Sequence, residues 1–369
     1  MILRHIDLIA FKSISVASCD LAPKLNCLLG GNGMGKTNFL DAIHYLSMSR
    51  SHLNTIDRMA VQHGASESII SGCYFNPQDN AEDTITLRIR PDSPKVLSRN
   101  GRLYKRLSEH IGRYPLVTIS PQDYRLIRGG SEERRHFLDR MIAQQNATYL
   151  NNLIRYDHLV SQRNNLLRGE HTDDMLFSVV EEQMALIGQS IAEERRAFIA
   201  SFTPIFNKFY QAISKEGEQV SLHYKTKTAP SVEGYLFALQ QNRPIERMAG
   251  HSMYGVHRDD LDMFIDQYLI RKIGSEGQNK TYLTALKLSE YQIVADKLRC
   301  QPILLLDDLF DKLDADRVER IIEIVSGELF GQIFITDTNR KYLDAIIHAQ
   351  GEKYHLFKVD RGVITQLPN

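Results

Sequence analysis

The chain has 369 residues, 43% apolar and 24% charged, ordinary values for a soluble globular protein with room for one large core or two moderate ones. Lys plus Arg and Asp plus Glu balance at 45 each, so overall charge points to no polyanionic partner and nucleic-acid contact has to be argued from a local patch. Cys19, Cys27, Cys73 and Cys300 form no C-x-x-C pair and no run of 18 apolar residues occurs, which excludes a zinc ribbon, a disulfide framework and a membrane-spanning helix, and makes a reducing cytosol the expected setting.

The opening "MILRHIDLIAFKSI" alternates like a strand and lacks the apolar region and cleavage site of a signal peptide. Up to about residue 50 the pattern predicts strand, turn, strand ("KLNCLLG"), glycine-rich loop and helix ("TNFLDAIHYLSM"). "ESIISGCYF" and "TITLRIR" are strand-like runs divided by the turn-rich "NPQDNAED" and followed by "PDSP", and "PLVTIS" at 115–120 is a further strand. Tyr149, Leu153, Tyr156, Val160 and Leu167 then recur at helical spacing. After the break "RGEHTDD" a longer stripe runs from Leu176 to Phe209, with Pro204 expected to bend or end it. These two helices read as an antiparallel arm or as a lobe folded on a common core. "VSLHYKTKT" returns to strand, a loop-rich stretch is expected to about 260, and "NKTYLTALKLSEYQIVADKL" is helical. The strands "PILLLDD" and "GQIFITDT" bracket the helix "ADRVERIIEIVSGEL", and "YHLFKVDRGVITQL" reads as a hairpin turning at Arg361-Gly362. Strands alternating with helices at both ends, around a helical insertion, describe a split α/β domain: 1–125, then an insertion at 126–250, then 251–369.

Gly30-Gly31-Asn32-Gly33-Met34-Gly35-Lys36-Thr37 matches G-x-x-x-x-G-K-[ST] between an apolar strand and a helix. Bare N–H groups of such a loop converge on a phosphate and the helix N-terminus adds partial positive charge. Lys36 would reach the β- and γ-phosphates of ATP and Thr37 would ligate Mg²⁺, with Asn38 next in line. "ILLLDD" supplies the second half: Asp307 for Mg²⁺, Asp308 for the attacking water. The bland alternative is an Asp-Asp strand end that caps a helix. "GSEGQNK" at 274–280 resembles, in variant form, the signature motif of ABC-type ATPases; Ser275, Gly277 and Gln278 at a helix start offer a hydroxyl, N–H groups and a dipole. A second cradle of this kind implies a second subunit, whose γ-phosphate Ser275 and Gly277 would cover. "DKLDADR" at 311–317 reads either as helix caps or as a dimer-facing loop.

Four blocks in order, "GGNGMGKTNFLDAIHYLSMSRSH", "SPQDYRLIRGGSEERRHFLDR", "YGVHRDDL" and "GSEGQNKTYLTALKLSEY" running on to "PILLLDDLFDKLDADR", give the chain a resemblance to the RecF family of bacterial recombination-mediator ATPases, related to the heads of SMC-type proteins. The resemblance implies an ABC/SMC-like P-loop ATPase head of α/β class, split in sequence by an inserted helical arm domain. It places Gln122 in the loop that senses Mg²⁺ and the attacking water. It leaves His257, Arg258 and Asp259 either as part of the family's block before the signature or as a structural ion-pair network. Two departures stand out: Asp308 replaces the usual Glu, consistent with slow turnover, and Thr336-Asp337 occupies the place of the usual switch histidine.

Eight Lys and Arg residues lie from Arg88 to Arg113 against Asp92 and Glu109 only, densest at Arg99, Arg102, Lys105 and Arg106. Such a patch is either a solvated face or a phosphate-neutralising surface that reads no bases. The combined expectation is an ATP-gated homodimeric clamp on duplex or gapped DNA with weak DNA-dependent ATPase activity. By resemblance its partners are RecR and RecO, and its task is loading of the recombinase onto DNA coated with single-strand-binding protein. The rival readings are a small-molecule phosphotransferase, a transporter ATPase subunit, or another SMC/ABC-type ATPase.

Overall fold

Two strand patterns in the sequence become two kinds of sheet. A computed structural model describes residues 1–53, 56–169, 174–214, 217–309, 313–338, 344 and 354–368; most of the predicted break "RGEHTDD" (170–173) and residues 311 and 312 of "DKLDADR" lie outside these. In chain order come β1 (Ile2–Phe11), β2 (Ile14–Asp20), β3 (Leu25–Leu29), α1 (Lys36–Met48), β4 (Ser68–Asn76), β5 (Ala81–Arg90), β6 (Ser93–Arg99), β7 (Arg102–Leu103), β8 (Leu116–Ile119) and α2 (Tyr124–Arg128). The middle holds α3 (Ser131–Ala143), α4 (Ala147–Arg168), α5 (Asp174–Ser214), β9 (Val220–Lys225), α6 (Val232–Ala249), β10 (Asp260–Ile265), β11 (Tyr268–Leu269) and α7 (Ile270–Ile273). The chain closes with α8 (Glu276–Leu298), β12 (Ile303–Asp307), α9 (Ala315–Ser326), β13 (Ile333–Asp337), β14 (Tyr354–Asp360) and β15 (Val363–Leu367).

The chain divides into two compact units. The first comprises Met1–Tyr124, Phe209–Gly217 and Ser275–Asn369. Its antiparallel sheet runs β2-β1-β4-β5-β6-β7, and its second sheet runs β15-β14-β3-β13-β12-β8. In that second sheet β14, β3, β13, β12 and β8 are parallel and β15 returns antiparallel as the edge. Burial follows these roles. The strands β8, β12 and β13 are buried at every position, as a parallel strand covered on both faces requires, whereas β4 and β5 alternate. Helix α1 buries 11 of its 13 residues, because it packs against strands of both sheets and so has no solvent face.

The parallel register brings distant segments together. Strand β3 lies between β13 and β14, with Leu28 opposite Thr336 and Phe357. The carboxyl ends of β3, β12, β13 and β8 therefore share one edge, where Gly30, Asp307, Asp337 and Ser120 emerge. In open α/β sheets that edge is where ligands bind.

The second unit comprises Arg125–Lys208 and Glu218–Gly274. It therefore runs to Gly274 rather than 250, because β10 pairs with β9 across Asp260–Lys225 and Ile265–Val220 and draws the "GVHRDDL" block into a three-stranded sheet. Helices α4 and α5 do pair antiparallel: Arg195 Nε donates to Tyr149 Oη (3.0 Å), Asn152 Nδ2 to Ser190 Oγ (3.4 Å) and Arg163 Nε to Glu181 Oε1 (3.0 Å). Of the two outcomes expected at Pro204, a bend or an end, the helix does not end: α5 continues to Ser214, and the lost N–H deprives one carbonyl of its donor but leaves the stripe intact. One expectation fails. The stretch expected to be loop-rich contains α6, whose Pro244 and Gly234 hide a helix that buries Tyr235, Leu239 and Glu246.

Candidate functional site

The loop between β3 and α1 is shaped by close approach. A Cβ on Gly30 would lie 2.3 Å from the Val359 carbonyl oxygen, so only glycine lets the loop leave β3 this near β14. Gly35 caps α1 in the left-handed region (φ 111°) with no side-chain cap, which leaves the first-turn N–H groups of α1 to be satisfied from outside. The β14–β15 turn clasps the loop: Gly362 N–H donates to the Met34 carbonyl at 2.9 Å, and Arg361 N–H to Met34 Sδ at 3.4 Å. Lys36 is folded over the loop, its Nζ donating to the carbonyls of Gly30 (2.7 Å) and Gly31 (3.0 Å). Asn38 Nδ2 donates to Ser13 Oγ at 2.8 Å.

Thr37 and Asp307, 270 positions apart in sequence, are joined directly: Thr37 Oγ1 donates to Asp307 Oδ1 at 3.0 Å. Thr336 Oγ1 donates to the same oxygen at 2.7 Å and accepts from Asp308 N–H at 3.0 Å. Burial raises the Asp307 carboxyl above its ordinary range and Asp308 adds to this, while the two threonine hydroxyls and Lys36 oppose it. A hydroxyl and a carboxylate side by side at a helix N-terminus suit Mg²⁺, which takes one or two protein oxygens and keeps its waters and substrate oxygens. Asp308 stands at φ 45°, a left-handed conformation that Asp tolerates better than most residues. A cavity of about 10 Å³, room for one water-sized sphere, adjoins the acid and is lined in part by Thr37, His52, Thr118, Ser120 and Asp307.

Gln122 lies on a capped turn. Ser120 Oγ accepts from Gln122 N–H at 3.2 Å, Ser120 N–H donates to Asp123 Oδ2 at 2.8 Å, and His52 Nε2 is 2.9 Å from Ser120 Oγ. This turn is tied to α8 at two points: Tyr124 Oη donates to the Glu276 carbonyl at 3.0 Å, and Lys287 Nζ lies 4.0 Å from Asp123 and 2.6 Å from Glu290.

Ser275 begins α8 as one half of a capping box. Its Oγ accepts from Gln278 N–H at 3.1 Å, and Gln278 Oε1 accepts from Ser275 N–H at 2.9 Å. The Gln278 side-chain oxygen, expected to face phosphate, is thus engaged in its own helix start. Ser275 Oγ uses only a lone pair there, so its proton is left for another acceptor. A Cβ on Gly277 would meet Arg317 Nη1 at 2.7 Å, so the start of α9 packs against this turn.

His257, Arg258 and Asp259 are each engaged in bonds within the second unit, with an ion pair at Asp259. His257 Nε2 and the Arg258 guanidinium meet the Ser252 carbonyl, and Asp259 bonds Tyr224 Oη and Arg195. Burial holds the His257 imidazole down at about 4. In the basic stretch Arg88 and Arg90 pair with Glu67, Lys95 with Asp57 and Arg99 with Asp83 (2.8 Å). Arg99 is therefore committed within its own sheet. Arg102, Lys105 and Arg106, around the turn at Asn100-Gly101, are exposed and make no ion pair with the described residues. No sequence motif marks Thr336 as a partner of Asp307, or His52 and Tyr124 as neighbours of the site. Each is a lone residue placed by pairing between distant segments, and none carries a local pattern.

The family described as the RecF/RecN/SMC N-terminal domain matches residues 2–365. The chain is 50% identical over 371 residues to the DNA replication and repair protein RecF of Porphyromonas gingivalis strain W83, covering 99% of this chain and 100% of that one. It is 44% identical to the protein of the same name from Bacteroides thetaiotaomicron, over 100% of this chain and 99% of the other. Among solved structures, that of the recombination mediator protein RecF-ATP in the RecFOR pathway superposes with a TM-score of 0.90 at 27% identity, covering 100% of this chain and 98% of that one. An Smc head bound to the C-winged helix domain of ScpA, 15% identical with a TM-score of 0.58 over 100% of this chain and 98% of that one, shares the fold.

Proposed function

The chain belongs to the RecF family, within the wider RecF/RecN/SMC group, and on that premise we propose that it is an ATP-gated DNA clamp of recombinational repair. The observation that carries the nucleotide half of this reading is the Thr37–Asp307 hydrogen bond, which closes a phosphate loop on an acid 270 residues away. In the proposed cycle the loop N–H groups and Lys36 hold the triphosphate, Lys36 exchanging its carbonyl partners for phosphate oxygens. Thr37 and Asp307 would hold Mg²⁺, which would supply positive charge to offset that of the triphosphate. Gln122 orients a water, Asp308 takes its proton, the water oxygen attacks the γ-phosphorus, and the bond to the bridging oxygen breaks to release ADP and phosphate. The shorter reach of Asp relative to Glu fits slow turnover.

Ser275 and Gly277 of one copy are proposed to cover the γ-phosphate held by another, so that ATP joins two copies and its hydrolysis parts them. With ATP and gapped duplex DNA the protein is expected to sediment as a dimer, and with ADP as a monomer. Ser275→Arg places a bulky cation beside a helix N-terminus, and is expected to abolish the ATP-dependent dimer while ATP binding to the monomer persists. A dimer of that variant in ATP would remove the shared site from the mechanism.

Arg102, Lys105 and Arg106 are proposed to neutralise DNA phosphates. Reversing all three is expected to weaken duplex binding and to lower the slope of log affinity on log salt by about 2 to 3. Unchanged affinity at low salt would eliminate the hairpin as a contact. RecO and RecR are the proposed partners, recombinase loading the proposed task and the cytoplasm the proposed location. Among the described residues no helix is long and apolar enough to cross a membrane, and all four cysteines are free thiols.

A further inference from the structure

The run "FIT" ends in Thr336 and is followed by Asp337, at the place where related ATPases have a histidine, and the sheet order explains what the threonine does there. Strand β13 lies between β3, which leads into the phosphate loop, and β12, which ends in the acid. Thr336 is in register with Asp307 on one side and Leu28 on the other, and it is fully buried. Its hydroxyl has one proton. Asp308 N–H donates to Thr336 Oγ1 (3.0 Å), so that proton goes to Asp307 Oδ1 (2.7 Å). Thr37 donates to the same Oδ1, and Oδ2 accepts no hydrogen bond from the described residues.

We infer that Thr336 is a positioning residue for the acid pair. Through one hydroxyl it fixes the Asp307 carboxylate with Oδ1 anchored and Oδ2 presented, and it pins the Asp308 backbone in its left-handed turn. This division gives the two oxygens different tasks: Oδ1 belongs to the fold and Oδ2 serves the cation or its water. It also removes Thr336 from candidacy as a γ-phosphate sensor, since its proton is committed to Asp307.

The inference rests on the nucleotide reading proposed above, and the test separates the two. Binding of a fluorescent ATP analogue is titrated with Mg²⁺ for the full chain and for Thr336→Val and Thr336→Ser, alongside the Mg²⁺ dependence of turnover. Val keeps the branched shape but loses both the proton and the lone pairs. The Mg²⁺ concentration at half-saturation is expected to rise about 10- to 100-fold in Thr336→Val, the range for loss of a ligand-orienting partner, with analogue binding in EDTA unchanged. Ser, which restores the hydroxyl, is expected to stay within about threefold of wild type, well under that range. Wild-type Mg²⁺ dependence in Thr336→Val overturns the inference, and so does a Ser variant as impaired as Val. A wild-type chain that binds no Mg²⁺-nucleotide overturns the nucleotide reading itself.

Discussion

Asp308→Asn is expected to lower ATP turnover by about 10²- to 10⁴-fold, the contribution of a positioned general base, while leaving the ATP-dependent dimer intact and longer-lived. The substitution is well matched to its backbone. Asp308 stands at φ 45°, a region that Asn enters as readily as Asp, so the turn is retained. Its N–H still donates to Thr336 Oγ1, which keeps Asp307 in place. Only the capacity to accept a proton is lost. Phosphate release measured beside sedimentation in ATP tests this directly. Turnover within about tenfold of wild type, below that range, would move the base to another group.

Arg163→Ala is expected to destabilise the fold by about 3–5 kcal/mol, the cost of leaving buried charge uncompensated. Arg163, Glu181 and Glu246 have fully buried side chains. The guanidinium donates to Glu181 at 3.0 Å, Glu246 at 2.5 Å, Ser252 Oγ at 3.0 Å and the Leu239 carbonyl at 3.1 Å, linking α4 to α5, α6 and the segment after α6. Glu181 keeps Arg243 when Arg163 is removed, but among the described residues Glu246 is left with only the N–H groups of Met253 and Tyr254. Adding Glu246→Gln to Arg163→Ala should therefore recover part of the loss. Urea unfolding of the two variants measures it, and strictly additive losses would contradict the coupling.

The parts that were legible in the sequence are those in which chemistry is carried by neighbours along the chain. The phosphate loop, "ILLLDD", the Ser275 helix start and the hairpin at Arg361-Gly362 each need a fixed local pattern, and each lies where that pattern indicates. Pairing between distant segments left little local trace. The membership of residues 251–274 in the second unit follows from β9–β10 pairing. The role of Thr336 follows from its register with Asp307, since a single threonine at a strand end has no signal of its own. Arg99 illustrates the converse: it belongs to the densest basic run, yet Asp83 from the neighbouring strand claims its guanidinium. Helix α6 was hidden by composition, because Gly234 and Pro244 weaken propensity while burial of Tyr235 and Leu239 decides the outcome.

The place of β3 between β13 and β14 governs how the protein can be born. Both neighbours of that strand are made roughly 300 residues after it, a delay of roughly 15–60 s at ordinary rates of translation. Throughout that interval the nascent chain carries "LNCLL", an apolar segment whose two edges have nothing to pair with, followed by a glycine loop without its clasp. Nucleotide therefore has no finished cradle on the ribosome, and premature termination anywhere before β14 yields a chain that exposes this strand to aggregation rather than one that works at reduced capacity.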